Sequence, residues 1–248
     1  MNPPRSYASP PAQCSGGRAI RDRLCDVFVK IGGSILDKDA LTAELVPHLA
    51  GLARESRILI LPGGGQAVKR IKANQRRHDV DFRSCWIPAV LCLDVNAGIL
   101  ASHSKEFAAV ASAEEISACF DTGRIAVFAA AGAVFNSLHL TPDFEATTDS
   151  MGLYFATTFG ASRYVIVSDV DGIYASRPQE HTPAAAIAHL TVEQLERLPS
   201  SKLDPSFPCY FRRYGLPTII VNGRYPGRVS AAIRGEPTIG TEIAAVFP

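Results

Sequence analysis

The sequence has no surplus of either charge: 25 Lys and Arg stand against 24 Asp and Glu in 248 residues, a net charge of +1. General nucleic-acid binding rests on an excess of cations that displace counterions from phosphates, so no nucleic-acid partner is expected. No apolar run is read as reaching the roughly 18–20 residues a bilayer demands, and no membrane partner is expected either. The opening stretch, MNPPRSYASPPAQCSGGRAIRD, lacks the apolar core of a secretory signal. Six cysteines (Cys14, Cys25, Cys85, Cys92, Cys119 and Cys209) form no CxxC pair, and no HExxH or Cys/His cluster accompanies them, which argues against a zinc site. Four of the six lie in apolar stretches, as small core residues do, and the usage suits a reduced, cytoplasmic protein. A GxxxxGK loop followed by Ser or Thr is missing, as is GxGxxG, which excludes P-loop kinases and ordinary Rossmann dehydrogenases. No spacing suggests a Ser/His/Asp, Cys/His or paired-carboxylate hydrolase. The histidines (His48, His78, His103, His139, His181 and His189) lie outside the glycine turns and read as surface residues.

What is present is ordinary globular material, 47% hydrophobic and 20% charged. Residues 1–22, rich in Pro, Ser and Gly, read as a mobile tail, and residues 23–248 as a single domain. Short, β-branched apolar runs at 27–31, 58–61, 125–130, 164–167 and 217–221 each end in a glycine-containing turn. Unbroken apolar runs of this kind suit strands buried on both faces. Helical patterns at 40–54, 67–76, 89–101, 150–159 and 192–197 lie between them. Strands alternating with helices predict an α/β fold, with a mostly parallel sheet between helix layers and ligands at the carboxyl ends of its strands.

Five segments carry chemistry. Lys30-Ile31-Gly32-Gly33-Ser34 puts a cation and approachable backbone N–H groups at a strand's end, or is merely a tight turn with an exposed lysine. Pro62-Gly63-Gly64-Gly65-Gln66 opens a helix whose first N–H groups suit an anion. The helix that follows carries Lys69, Arg70, Lys72, Arg76 and Arg77, mostly a solvated face, with one or two in reach of an acceptor phosphate. Thr147-Thr148-Asp149-Ser150-Met151-Gly152 places Asp149 as an N-cap and as a carboxylate beside the same pocket. Ser168-Asp169-Val170-Asp171-Gly172-Ile173-Tyr174 follows a buried strand with two carboxylates and an aromatic ring. It is either a plain Asp-rich turn or a nucleotide or Mg²⁺ contact. Arg224 and Arg228 in Asn222-Gly223-Arg224-Tyr225-Pro226-Gly227-Arg228 either clamp phosphates or form surface ion pairs.

In this order and at these spacings, KIGGS, PGGG, TTDSMG and SDVDGIY resemble the amino acid kinase family over nearly the whole chain from residue 26. The resemblance implies a three-layer αβα sandwich with acceptor bound by the N-terminal half and ATP, with Mg²⁺, by the C-terminal half. It further implies Lys30 on the transferring phosphoryl group, oriented by Asp149. Gly32, Gly33, Ser34, Gly63, Gly64 and Gly65 would hold phosphate, and Asp169, Asp171, Gly172, Tyr174, Asn222, Gly223 and Arg228 the nucleotide. Lys202-Leu203-Asp204-Pro205-Ser206-Phe207-Pro208, the Val221–Val229 stretch and Trp86–Asp94 are similar to one branch, the (aminomethyl)furanmethanol-phosphate kinases of methanofuran biosynthesis. That branch implies a phosphate monoester as acceptor, a diphosphate as product, and no need of a general base. The chain departs from it at Trp86, where the branch has histidine, and at Pro142-Asp143-Phe144, where it has His-Ser-Trp. Uridylate or isopentenyl phosphate is the alternative acceptor. The alternative to a kinase is a non-catalytic ATP or oxoanion binder like the molybdenum storage protein, which shares the fold. Relatives oligomerise, which makes a homo-oligomer the expectation.

Overall fold

A computed structural model describes residues 23–140, 142, 144–175, 185–198 and 201–244. The expected tail, His181 and Asp143 lie outside these. The chain runs β1 (Val27–Ile31), α1 (Gly33–Leu36), α2 (Asp39–Gly51), β2 (Ile58–Pro62), α3 (Gly65–His78), α4 (Phe82–Ser102), β3 (Phe107–Val110), α5 (Ala113–Asp121) and β4 (Ile125–Phe128). It continues through α6 (Ala131–Phe135), α7 (Thr148–Thr158), β5 (Arg163–Ser168), β6 (His189–Thr191), α8 (Val192–Arg197), α9 (Phe207–Tyr214), β7 (Thr218–Asn222), α10 (Pro226–Arg234) and β8 (Thr241–Ala244). The described strands form one eight-stranded sheet in the order β3-β4-β2-β1-β5-β7-β8-β6. All described pairings are parallel except β7 with β8. The expected mostly parallel αβα sandwich is what the chain adopts.

Alternation along each central strand supplies two cores. Phe28, Leu59, Leu61, Phe128, Tyr164 and Ile166 point to the face covered by α7 and α9. Val27, Val29, Ile31, Ile58, Ile60, Val165 and Val167 point to the face covered by α2 and α10. Because both faces are buried, these strands show no polar alternation in sequence. β1 is the place where the order of strands reverses, with β2 on one side and β5 on the other, and crevices for ligands open at such points. Lys30, on β1 and facing Leu61 and Ile166 across the ladders, sits at that crevice.

Two expectations change. Residues 82–102 do form one 21-residue helix long and apolar enough to cross a membrane by length and composition. Its buried face (Cys85, Trp86, Ala89, Val90, Leu93, Ala97, Leu100) nevertheless packs inside the protein, as a core helix does. Its start, seven residues before the expected one, is set by Asp81, whose carboxylate accepts from the Ser84 N–H at 3.0 Å. The second change concerns α7, which begins after Thr147 rather than after Asp149.

Of the described histidines, His48, His78, His103, His139 and His189 are exposed, as expected. Cys25, Cys85 and Cys119 are buried, Cys92 is half-buried, and only Cys209 of the described thiols is exposed.

Gly152, inside α7, has a packing reason. The fully buried Tyr164 of β5 passes over it to place its hydroxyl 3.2 Å from the carbonyls of both Thr148 and Asp149. A Cβ at 152 would lie 2.1 Å from that oxygen. Gly152→Ala should therefore destabilise the fold by about 1–3 kcal/mol, as overpacking does. Adding Tyr164→Phe should recover part of the loss. Thermal denaturation of the two single variants and the double variant measures this, and additive losses would contradict it.

Candidate active site

Lys30 and Asp149 meet, as the sequence suggests. The ammonium lies 2.7 Å from Asp149 Oδ1, with both side chains almost entirely shielded, at 12% and 9% exposure. Burial makes such a pair far more strongly coupled than a surface one. The contact is an ion pair without an aligned hydrogen bond, so among the described residues Oδ1 keeps an open acceptor position.

Asp149 is not the N-cap. It stands in the first turn of α7, and the cap comes from Asp204, 57 positions beyond Thr147. Asp204 accepts from the Thr147 N–H at 2.8 Å, the Thr147 hydroxyl at 2.9 Å and the Ser150 N–H at 3.0 Å, and also from the Ser150 hydroxyl. A carboxylate at a helix N-terminus satisfies orphan donors and meets the positive end of the dipole. Burial first, and then the charge of Asp149, push the Asp204 carboxyl above the usual carboxylate range. Sequence reading missed this role, although the Leu-Asp-Pro run that carries it was visible.

The two glycine turns behave differently from the expectation. Gly32 N–H donates to Val167 O and Gly63 N–H to Ile31 O, each at 2.8 Å, extending the parallel ladders by one bond. Neither is free for phosphate, and this corrects the assignment of Gly32 and Gly63 as donors. The N–H groups of Gly33, Gly64 and Gly65 have no acceptor among the described residues. Ser34 lies in the first turn of α1 beside them. The glycines themselves answer to close packing: a Cβ on Gly33 would lie 2.4 Å from the backbone of Gly65, whose own φ is +59°. The α3 terminus is also partly occupied, since Asp37 Oδ1 accepts from the Gln66 N–H at 3.0 Å. Asn96 of α4 donates to Gly63 O at 2.6 Å and fixes the second turn from behind.

The fourth and fifth segments converge at the ends of the adjacent strands β5 and β7. Asp171 Oδ1 accepts from Asn222 Nδ2 at 2.9 Å and from Arg228 Nη1 at 2.8 Å, and the Asp171 N–H donates to the Tyr174 hydroxyl at 3.3 Å. Gly223 N–H donates to Ser168 O at 2.8 Å, so it too is committed to the backbone. Arg228 stacks over the Tyr225 ring, 3.9 Å from its centroid, while Arg224 is exposed. Asp169 faces Lys202 at 3.8 Å, and Gly172 packs on Thr241.

Beside the Lys30 end, an open recess lies between α3, α4 and α7. Trp86, Val90, Leu93, Phe144 and Met151 wall it, and Gly64, Thr147 and Thr148 lie at its polar end. Of the basic residues of α3, Lys72 reaches it, donating to Phe144 O at 3.2 Å.

A cation at the reversal point of an αβα sheet, backbone donors from two turns and an adjoining recess give the site a chemistry that suits an anion. The amino acid kinase family model matches residues 27–212, and the chain belongs to that family. It is 25% identical over 221 residues to the (5-(aminomethyl)furan-3-yl)methyl phosphate kinase of Methanocaldococcus jannaschii, covering 88% of this chain and 98% of that one. It is 26% identical over 231 residues to a uridylate kinase of Methanothrix thermoacetophila, with the same shares covered. The uridylate kinase structure from Archaeoglobus fulgidus superposes with a TM-score of 0.70 at 22% identity, covering 88% of this chain and all of that one.

Because the folded-state value of the Asp204 carboxyl lies above the roughly 3.9 of a free aspartate, folding takes up a proton between the two values. The stability this contributes is complete below the unfolded value and is lost as pH rises through the folded one. Acidification from pH 7 towards pH 4 should thus stabilise the wild type relative to Asp204→Asn. Denaturant midpoints across that range test it; a pH-independent difference would refute the shift. Asp204→Ala at pH 7 should cost about 2–3 kcal/mol, from the stranded donors of α7.

Proposed function

We propose that the protein transfers the γ-phosphoryl group of ATP to a small-molecule phosphate monoester, giving a diphosphate. The observation that carries this is the shielded Lys30–Asp149 pair at the end of β1, set between free N–H groups and the recess. Both curated relatives named above are, by name, kinases of a phosphate-bearing acceptor, which supports the reading. The first acceptor to try is (5-(aminomethyl)furan-3-yl)methyl phosphate, as in methanofuran biosynthesis; uridylate is the alternative.

Phosphoryl transfer asks chiefly for positioning and positive charge. Two anions must approach, and unit charges about 4 Å apart repel by roughly 4 kcal/mol at an effective dielectric near 20. Lys30 offsets that repulsion at the transferring group, and Asp149 keeps its ammonium in place. The N–H groups of Gly33, Gly64 and Gly65 donate to phosphate oxygens without reorganising. Asp171, Tyr174, Asn222 and Arg228, already bonded into one cluster, form the wall of the nucleotide half, with Asp169 and Gly172 beside it. The acceptor's phosphate is itself the nucleophile, so no side chain removes a proton.

Among the described residues no three His, Cys, Asp or Glu side chains converge. Mg²⁺, which neutralises the polyphosphate when bound, would therefore take its ligands mainly from ATP, with the open Oδ1 of Asp149 as a fitting protein contact. We place the protein in the cytoplasm as one catalytic domain, acceptor on its N-terminal half.

A homo-oligomer belongs to the same reading. Ile87, Leu91, Val95 and Ile99, four apart along α4, are 46–60% exposed. The only charged residues of that helix are Arg83 and Asp94. A second copy packed antiparallel would cover this uncharged stripe with itself. Light scattering should find a multimer that Val95→Lys dissociates; a wild-type monomer would rule the pairing out.

Lys30→Ala should lower kcat at least about a thousandfold, and by stranding the shielded Asp149 carboxylate it should also cost about 3–5 kcal/mol of stability. ADP release with the furan phosphate as acceptor measures the first and melting the second. Retained turnover would remove Lys30 from the mechanism.

A further inference from the structure

We infer that the recess selects a phosphate monoester whose organic part is one small, flat, apolar-faced ring, and that Trp86 sets this preference. The inference deepens the phosphate-acceptor reading above and rests on it.

Apart from Lys72, the recess is polar at one end only. Gly64, Thr147 and Thr148 lie toward Asp149, where a phosphate belongs, and the Thr147 hydroxyl is already spent on Asp204. The rest is hydrocarbon and aromatic surface. Trp86 is 8% exposed and pinned edge-on by Phe135, with centroids 5.6 Å apart at 67°. Phe144 is pinned in the same manner by Phe82, at 5.0 Å and 68°, and Lys72 Nζ lies 4.8 Å from its centroid. Two aromatic lining residues held by their own partners are preorganised, and a flat ring packs against them without ordering any side chain.

A nucleoside does not suit it. Uracil and ribose bring several donors and acceptors, and each one buried against Trp86, Val90, Leu93 or Met151 would lose its water without gaining a partner. The only charged side chain among the described lining residues is Lys72, a cation, so an ammonium on the ring gains nothing there either. The phosphate and the ring are what the site reads.

Trp86 is the only tryptophan in the sequence, so its fluorescence reports occupancy of the recess whether or not chemistry follows. The test uses the full chain with Mg-ATP and three acceptors: benzyl phosphate, (5-(aminomethyl)furan-3-yl)methyl phosphate and uridylate. The two ring phosphates are expected to agree in kcat/KM within about tenfold and to exceed uridylate at least a hundredfold. Trp86→Ala should narrow that gap at least tenfold, whereas Trp86→Phe should keep it. Uridylate turned over as well as the ring phosphates, or a gap untouched in Trp86→Ala, would overturn the inference and leave the kinase reading standing. No ADP from any acceptor, together with a saturable fluorescence change on benzyl phosphate but not on uridylate, would do the opposite. No turnover and no fluorescence response would remove both.

Discussion

A lysine on the central strand of a sheet buried on both faces is an expensive thing to keep, and the ion pair with Asp149 is what makes it tolerable. Much of the surrounding structure follows from holding that carboxylate in place. Asp149 stands in the first turn of α7, so that turn must be fixed, and it is fixed from two directions. Tyr164 reaches its carbonyls from β5, Gly152 leaves room for the tyrosine, and Asp204 caps the helix from the chain beyond β6. The cap brings a second buried carboxylate near the first, and its burial, with the charge of Asp149 added, raises the proton affinity of Asp204. The site thus stores electrostatic strain in a residue that touches no substrate in the proposed chemistry.

The glycine turns show how one residue type serves two ends. Gly33 and Gly65 are required because the turns after β1 and β2 lie backbone against backbone. That approach in turn leaves N–H groups with nothing in the protein to bond. The bland reading, a tight connection, and the functional one, an anion cradle, describe the same geometry. Gly32 and Gly63 belong to the connection alone, because the parallel ladders take up their donors.

The central strands were legible because double burial writes itself as unbroken Val, Ile and Leu runs: β1, β2, β5 and β7 fall within a residue or two of expectation. β3, β6 and β8 were not, for they are short, lie near the sheet's margins and mix exposed with buried positions. Lys30 and Asp149 were found through motif order, as was the convergence of Asp171, Asn222 and Arg228. Asp204 escaped because capping across 57 residues leaves no local trace. The recess escaped too, since Trp86, Phe144 and Met151 come from three separate segments that nothing local brings together.

Asp37 gives the anion cradle a property of its own. Its carboxylate bonds into the first turn of α3, so a fixed negative charge sits where the helix dipole is most positive. Stray chloride or inorganic phosphate meets a site whose attraction is already largely compensated. An anion gains there only when it is delivered by a molecule bound elsewhere and directed to the Lys30 side, away from Asp37. In the proposed chemistry the turn would thereby be biased toward tethered phosphates over the free ions of the cell, a filter by connectivity rather than by charge.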